Sequence, residues 1–175
     1  NAFVDRSGDG VITEDDKYFA GDPNPDFYYG LNFKPSYKNW DFGFNGHGSF
    51  GYKVFNDFAS NNSTAYFDVN AGNLPNFATA VKRTGFTQIS GDYQFFSDFY
   101  LEDASFFRMD DINLGYTFKD LGKWGGNIRV AASCQNVFVL TKYSGIDPEI
   151  NSTDGVDRTF WPRPRTFSVR LNVNF

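Results

Sequence analysis

Apolar and polar residues alternate in five stretches of the chain, each readable as a strand with one greasy and one wet face. Phe27, Tyr29, Leu31 and Phe33 share one side of the first, which Pro35 ends. The second is the longest. It sets Trp40, Phe42, Phe44, Gly46, Gly48, Phe50 and Tyr52 against Asp41, Gly43, Asn45, His47, Ser49, Gly51 and Lys53. In the third, Ile112, Leu114, Tyr116 and Phe118 oppose Asp111, Asn113, Gly115 and Thr117. Phe107 and Met109 precede it in the opposite phase, which predicts a bulge near Asp110 or a strand that leaves the apolar layer there. The fourth places Ile128, Val130, Ala132 and Cys134 opposite Arg129, Ser133 and Gln135, until Asn136 interrupts the apolar face with no cause visible in sequence. The fifth carries Phe167, Val169, Leu171, Val173 and Phe175 on one face and Thr166, Ser168, Arg170, Asn172 and Asn174 on the other. No segment carries a helical period for more than a turn or two.

The connections alternate as well. Only "PSYK" and "KDLGKWG" separate strands one from two and three from four, whereas residues 55–102 and 141–163 read as long loops without periodicity. Brief turns on one side and extended loops on the other are the layout of outer-membrane barrels. Aromatic residues gather toward the strand ends. Trp40, Phe118, Trp124 and Phe175 lie on the short-turn side, and Phe50, Tyr52, Phe106, Phe107 and Trp161 toward the long loops, as interfacial belts require.

Composition sharpens this picture. With 22 Phe, 10 Tyr and 3 Trp beside a single Met, the apolar bulk is of the kind that suits pleated surfaces rather than helices. No run approaches the roughly 20 apolar residues of a membrane helix, so any membrane span must be built of strands. A net charge of -5 with no basic stripe argues against nucleic acid as a partner. The single Cys134 precludes an internal disulfide framework and leaves the compartment open. Without an initiating Met or a signal segment, the chain reads as a piece of something longer.

One motif carries ligand chemistry. "DRSGDGVITEDD", from Asp5 to Asp16, matches the twelve-residue calcium loop at each ligand place. Asp5, Ser7 and Asp9 offer side-chain oxygens at the first, third and fifth places, and Gly10 takes the turn at the sixth. Val11 offers its carbonyl at the seventh, and Asp16 stands last, where Glu is usual. The shorter Asp predicts modest affinity and a structural ion; the plain alternative is an acidic surface turn. A helix-loop-helix hand is not implied, because Pro23 follows closely.

Taken in order, these stretches resemble the SusC/RagA family of TonB-dependent outer-membrane transporters, near its C-terminal end. The resemblance rests on "DRSGDGVITEDD", "GDPNPDFYYGLNFKPSYKNWDFGFNGHGSFG", "LEDASFFRMDDINLGYTF", "QNVFVLTKYSGIDPEIN" and "WPRPRTFSVRLNVNF". It implies an all-β fold in which this chain supplies about five strands of a large antiparallel transmembrane barrel. It further implies a plug borne by the remainder of the transporter, energisation through TonB and a SusD-like surface lipoprotein. Glycans or peptides would be imported unaltered. Residues 1–25 would then form an extracellular loop holding calcium, residues 26–175 would be barrel strands with long extracellular loops, and Phe175 would be an assembly tag at the rim. Five strands fall short of the 8 in the smallest membrane barrels, so the chain would be incomplete on its own.

An enzyme is the rival from another class. His47 has no nucleophile beside it, and the pairs Glu102–Asp103 and Asp110–Asp111 point to opposite faces of a strand, which spoils a two-carboxylate site. Cys134 reads as a small hydrophobe, and the loop aromatics Tyr143, Phe160 and Trp161 could stack on sugars or serve as girdle residues. The other rival is a soluble, secreted, calcium-stabilised β-sandwich that binds carbohydrate. It would bury the apolar faces beneath a second sheet.

Overall fold

A computed structural model of the chain describes residues 3–65, 80–84, 86–87, 97–119, 125–150, 154–158 and 161–174. The elements run β1 (Phe27–Phe33), β2 (Ser36–Tyr37), β3 (Trp40–Phe50), β4 (Lys53–Asn56), α1 (Asp57–Asn62), β5 (Thr64–Ala65), α2 (Ala80–Thr84) and β6 (Phe86–Thr87). They continue with β7 (Leu101–Asp103), β8 (Phe106–Phe118), β9 (Asn127–Thr141), β10 (Val156–Asp157) and β11 (Thr166–Asn174). They fall into two compact units. One contains residues 25–51, 105–142 and 161–175, the other residues 1–24, 52–104 and 143–160.

The first unit is a sheet ordered β1-β3-β8-β9-β11, with β2 pairing to β3 at the tight turn. Every pairing is antiparallel, and the sheet does not close on itself. All five strands foreseen from the alternation are present, and register brings their apolar faces together. Phe33, Phe44, Ile112, Cys134 and Phe167 form one continuous row across the sheet, and Phe42, Leu114, Ala132 and Val169 the next. These side chains are not packed beneath a second layer. Trp40 is 50 %, Leu171 63 % and Val169 81 % exposed. β3 makes about ten steps of about 3.3 Å, and a tilt of roughly 40° turns that into an apolar band roughly 25 Å tall, the height of a barrel's lipid-facing belt.

Rings gather at both ends of that band. Trp40 meets Tyr116 edge-on at 4.7 Å, and Tyr116 meets Phe118 at the same distance. At the other end Tyr29 stacks on Phe50 at 5.5 Å and on Phe107 at 6.0 Å. Two residues assigned to this belt from sequence do not belong to it. Phe106 is buried on the polar side of β8, with its ring against His47 at 5.5 Å. Tyr52 lies past the strand end, because Gly51, at φ +80, turns the chain out of β3 after Phe50. Trp124, Phe160 and Phe175 lie outside the described residues.

The second unit has a small core of its own. β4 pairs antiparallel with β7 and parallel with β10 around the fully buried Val54, and β5 pairs parallel with β6. Tyr52, Tyr100, Ala104 and Tyr143 complete the buried apolar set. Residues 55–102, read from sequence as one long loop, thus include short strands, two helices of about a turn and a 3-10 turn at Asp98–Tyr100. Strands of two to four residues are too short to show a period.

Candidate functional site

The acidic loop folds as a closed ring. The backbone N–H of Gly8 and Gly10 donate to Asp5 Oδ1 and Oδ2 at 2.6 and 2.8 Å, and the Ser7 hydroxyl donates to Oδ1 at 3.2 Å. From the far end, Asp16 Oδ1 accepts from Arg6 and Ser7 N–H at 2.8 and 3.0 Å, and Oδ2 from Thr13 at 2.7 Å. Thr13 caps the 3-10 turn Glu14–Asp16 through a reciprocal box, which fixes the Asp16 side chain pointing back across the loop. Gly10, at φ +84, takes the left-handed conformation that the sixth place of such a loop demands. These N–H bonds, those of Gly10 and Gly8 foremost, hold the Asp5 carboxyl below its usual range, and those of Ser7 and Thr13 do the same for Asp16.

Asp5, Ser7 and Asp16 therefore share one ring. Asp9 turns to its own neighbour, accepting from Val11 N–H at 2.8 Å. Among the described residues no three acidic, His or Cys side chains converge as a metal cage. The donors are hard oxygens, which fit calcium. The Asp5 and Asp16 carboxylates are ringed by N–H groups, but with Asp9 they are not gathered about a single point.

The polar face of the long sheet is the other candidate. At its centre the register slips twice. Asp110 is the extra residue of β8 against β3, between the pairs Asn45–Asp111 and Gly46–Met109, and β9 carries one more residue than β8 opposite it, at Asn136–Val137. The expected bulge near Asp110 is there. It restores Phe107 and Met109 to the apolar face, opposite Gly48 and Gly46. The bulge also aims Asp110 at His47, whose Nδ1 lies 2.7 Å from Asp110 Oδ2.

Asn136, unexplained in sequence, is the counterpart on β9. Its φ of +50 is a conformation Asn tolerates better than most residues. Its side chain accepts from Arg108 Nη1 at 2.8 Å and donates to the Arg163 carbonyl at 2.8 Å, tying β8 and β9 to the entry of β11. Nearer the short turns, Arg129 of β9 reaches over β8 to Asp41 of β3 with two hydrogen bonds, from Nε and Nη2. An Asn at a predicted apolar position was the only sequence signal for this network.

Of the residues weighed for catalysis only His47 and Asp110 meet, and the others lie elsewhere. Glu102 accepts from Ser144 and Asn56 in the second unit, and its neighbour Asp103 pairs with Lys53 across the β7–β4 ladder. Cys134 is half-buried on the apolar face.

No family model matches the chain. Known proteins resemble it over its whole length. It is 40 % identical over 184 residues to the TonB-dependent receptor SusC of Bacteroides thetaiotaomicron, covering 100 % of this chain and 18 % of that receptor. It is 32 % identical over 192 residues to the TonB-dependent receptor P3 of Formosa agariphila, covering 99 % of this chain and 19 % of the relative. Among solved structures, a chain of the RagAB peptide importer in its "closed-closed" state superimposes with a TM-score of 0.60 over 94 % of this chain and 20 % of that one, at 18 % identity. The "open-open" state gives 0.57 over 86 % and 17 %. The chain spans about a fifth of the relatives it matches, and its open antiparallel sheet corresponds to a part of that importer fold. By whole-length sequence likeness and by fold, the chain belongs to the SusC/RagA family of TonB-dependent receptors.

Proposed function

We propose that this chain is one sector of the wall of a TonB-dependent outer-membrane transporter that imports oligosaccharides or peptides. The observation that carries the reading is the unlike pair of faces on one sheet, with an exposed apolar band ringed by aromatics on one side and a paired, hydrogen-bonded polar layer on the other. Lipid covers the first and a water-filled interior meets the second. Among the described residues β1 and β11 each leave one row of backbone groups unpaired, which lipid penalises by several kcal/mol per group, so further strands of the same barrel must flank them. The relatives' names support the assignment: receptors dependent on TonB, and a peptide importer.

Within that reading the short turns face the periplasm and the long loops 55–102 and 141–163 are extracellular, where a SusD-like lipoprotein would present solute. The remainder of the transporter supplies the plug and the contact with TonB. In the same reading the loop from Asp5 to Asp16 would hold calcium through Asp5, Ser7, Asp9, Asp16 and the Val11 carbonyl, once Asp9 gives up its bond to Val11 N–H and turns toward the others. The ion would knit an external segment whose carboxylates are already ionised.

The test uses the full-length receptor. It should extract from outer membranes only with detergent, and cells should take up labelled maltooligosaccharide or oligopeptide in a way abolished by TonB depletion. Release into aqueous buffer as a soluble protein would sink the proposal. Terbium luminescence titrated into the purified receptor, and lost in Asp5→Asn with Asp16→Asn, tests the ion separately.

A further inference from the structure

The polar face holds a hollow of about 380 Å³ that none of the strand pairing requires. Its floor is made of small residues, Ala131 and Ser133 on β9. Cations from separate strands border it: Lys34 just past β1, Arg129 on β9 and Arg170 on β11, directly across from Ala131.

Their states differ in a telling way. Arg129 is held flat over Gly115 by Asp41. A Cβ there would come within 2.5 Å of Arg129 Nη2 and 2.6 Å of the Asp41 carboxylate, so the bridge lies flat on the strand where residue 115 has no side chain. That bridge uses Nε and Nη2 and leaves Nη1 without a bonded partner among the described residues. Lys34 and Arg170 have no ion-pair or hydrogen-bond partner there either. The one carboxylate lining the hollow, Asp111, is engaged by the Asn113 amide at 3.0 Å. With Asp41 counted, three cations face two carboxylates, a local excess of +1 (3 − 2) in a chain of net charge -5.

We propose that this hollow is a binding station for a carboxylate group carried by a passing solute, with Arg170 and Lys34 as its direct ligands and Arg129 as a pre-oriented third donor. Guanidinium groups match a carboxylate's two oxygens. Gln135 and Ser133 supply the neutral donors that such a ligand needs around its charge. The carboxylate could belong to an acidic sugar or to a peptide. The inference rests on reading this face as the transporter interior.

The full-length receptor in detergent serves for the test, with digalacturonate and glycyl-glutamate as probes and their methyl esters as neutral counterparts. Calorimetric titration should show one or both acids binding the wild type more tightly than the esters. Lys34→Gln with Arg170→Gln should weaken the acids about tenfold or more, the order expected when charge-assisted hydrogen bonds are lost. Digalacturonate alone responding identifies a sugar station, and glycyl-glutamate alone a peptide station. Equal binding of acids and esters, or acid binding unchanged in the double variant, overturns the proposal. So does restored affinity in Lys34→Gln with Arg170→Met. A second arm isolates the underlying reading. In a Cys134→Ser background, Ser133→Cys should react with a water-soluble maleimide in intact outer membranes. Labelling without acid preference refutes the station alone, whereas no labelling refutes the transporter interior itself.

Discussion

The two units of this chain solve the same problem of apolar burial in opposite ways. In the unit built on β4, β7 and β10 the apolar groups point inward: Val54 is 0 % and Tyr100 2 % exposed, and the buried polar groups Asn56, Ser63 and Asp157 are all bonded. In the long-strand sheet the large apolar groups point outward and the compact polar layer holds the ion pairs. The first pattern is that of a protein whose solvent is water. The second needs an apolar solvent outside, and no rearrangement of rotamers would convert one into the other, because the alternation is fixed by strand geometry.

The same charge placed on adjacent residues of one strand separates the two faces most strongly. Val169 and Ser168 of β11 point to opposite faces. Val169→Arg should cost about 2–4 kcal/mol near the bilayer midplane, falling toward the interfaces. Ser168→Arg should cost well under half of that. Urea unfolding of the full receptor refolded in lipid vesicles measures both. Equal effects would mean that water, not lipid, bathes the two faces.

A smaller effect is expected in the water-facing unit, where burial has the conventional sense. The Tyr143 hydroxyl donates to Asp157 Oδ2 at 2.7 Å, and both residues are buried. Burial first, then the bond to Asp157, pushes the Tyr143 hydroxyl far above its ordinary range, so it stays protonated at any physiological pH. Tyr143→Phe leaves a buried carboxylate short of a donor, at about 1–3 kcal/mol. Hydrogen exchange at Val156 and Asp157 should quicken while the long strands keep their protection.

Asn136 sets a third, finer test. Asn136→Ala removes the bonds to Arg108 and Arg163 and forces Ala to a positive φ, whereas Asn136→Gly removes the bonds alone. The Ala variant should lose about 1–2 kcal/mol more than the Gly variant, the steric cost of the left-handed conformation. Chemical denaturation of the vesicle-bound receptor compares them. Identical losses would show that the side-chain bonds, not the backbone, set the register slip.

The same residue shows where sequence reading stops. Strand existence, facing and the bulge at Asp110 were legible because a period of two is local, and one residue out of phase is visible as Met109 before Ile112. Asn136 was visible only as an anomaly, since its purpose depends on Arg163, which is distant in sequence. The small mixed sheet was invisible for a stronger form of that reason. β4 meets β10 across about a hundred residues through two pairs alone, and so short a strand has no pattern to read. At the acidic loop the spacing foretold Gly10 in its turn and Asp16 reaching back, but not that Asp9 would bond to Val11 instead of joining them.

The smallest expected effect concerns that loop and pH. Asp5 and Asp16 are held below their usual range by backbone N–H groups, so their folded pKa values lie beneath the unfolded ones. Such groups stabilise the ring fully above the unfolded carboxylate value, about 3.9, and the contribution is lost as pH falls through the depressed folded values. The ring should therefore be insensitive to pH from neutrality to about 5 and open only in stronger acid, with exchange of the Gly10 and Ser7 amides reporting it. Asp5→Asn with Asp16→Asn keeps an acceptor oxygen at each position and removes both charges, so the ring of the double variant should be protected to nearly the same degree at pH 3 and pH 6. Bound calcium would compete with protons for the same oxygens and shift the opening to still lower pH, whereas an acidic turn with no ion would show the same profile with and without added calcium.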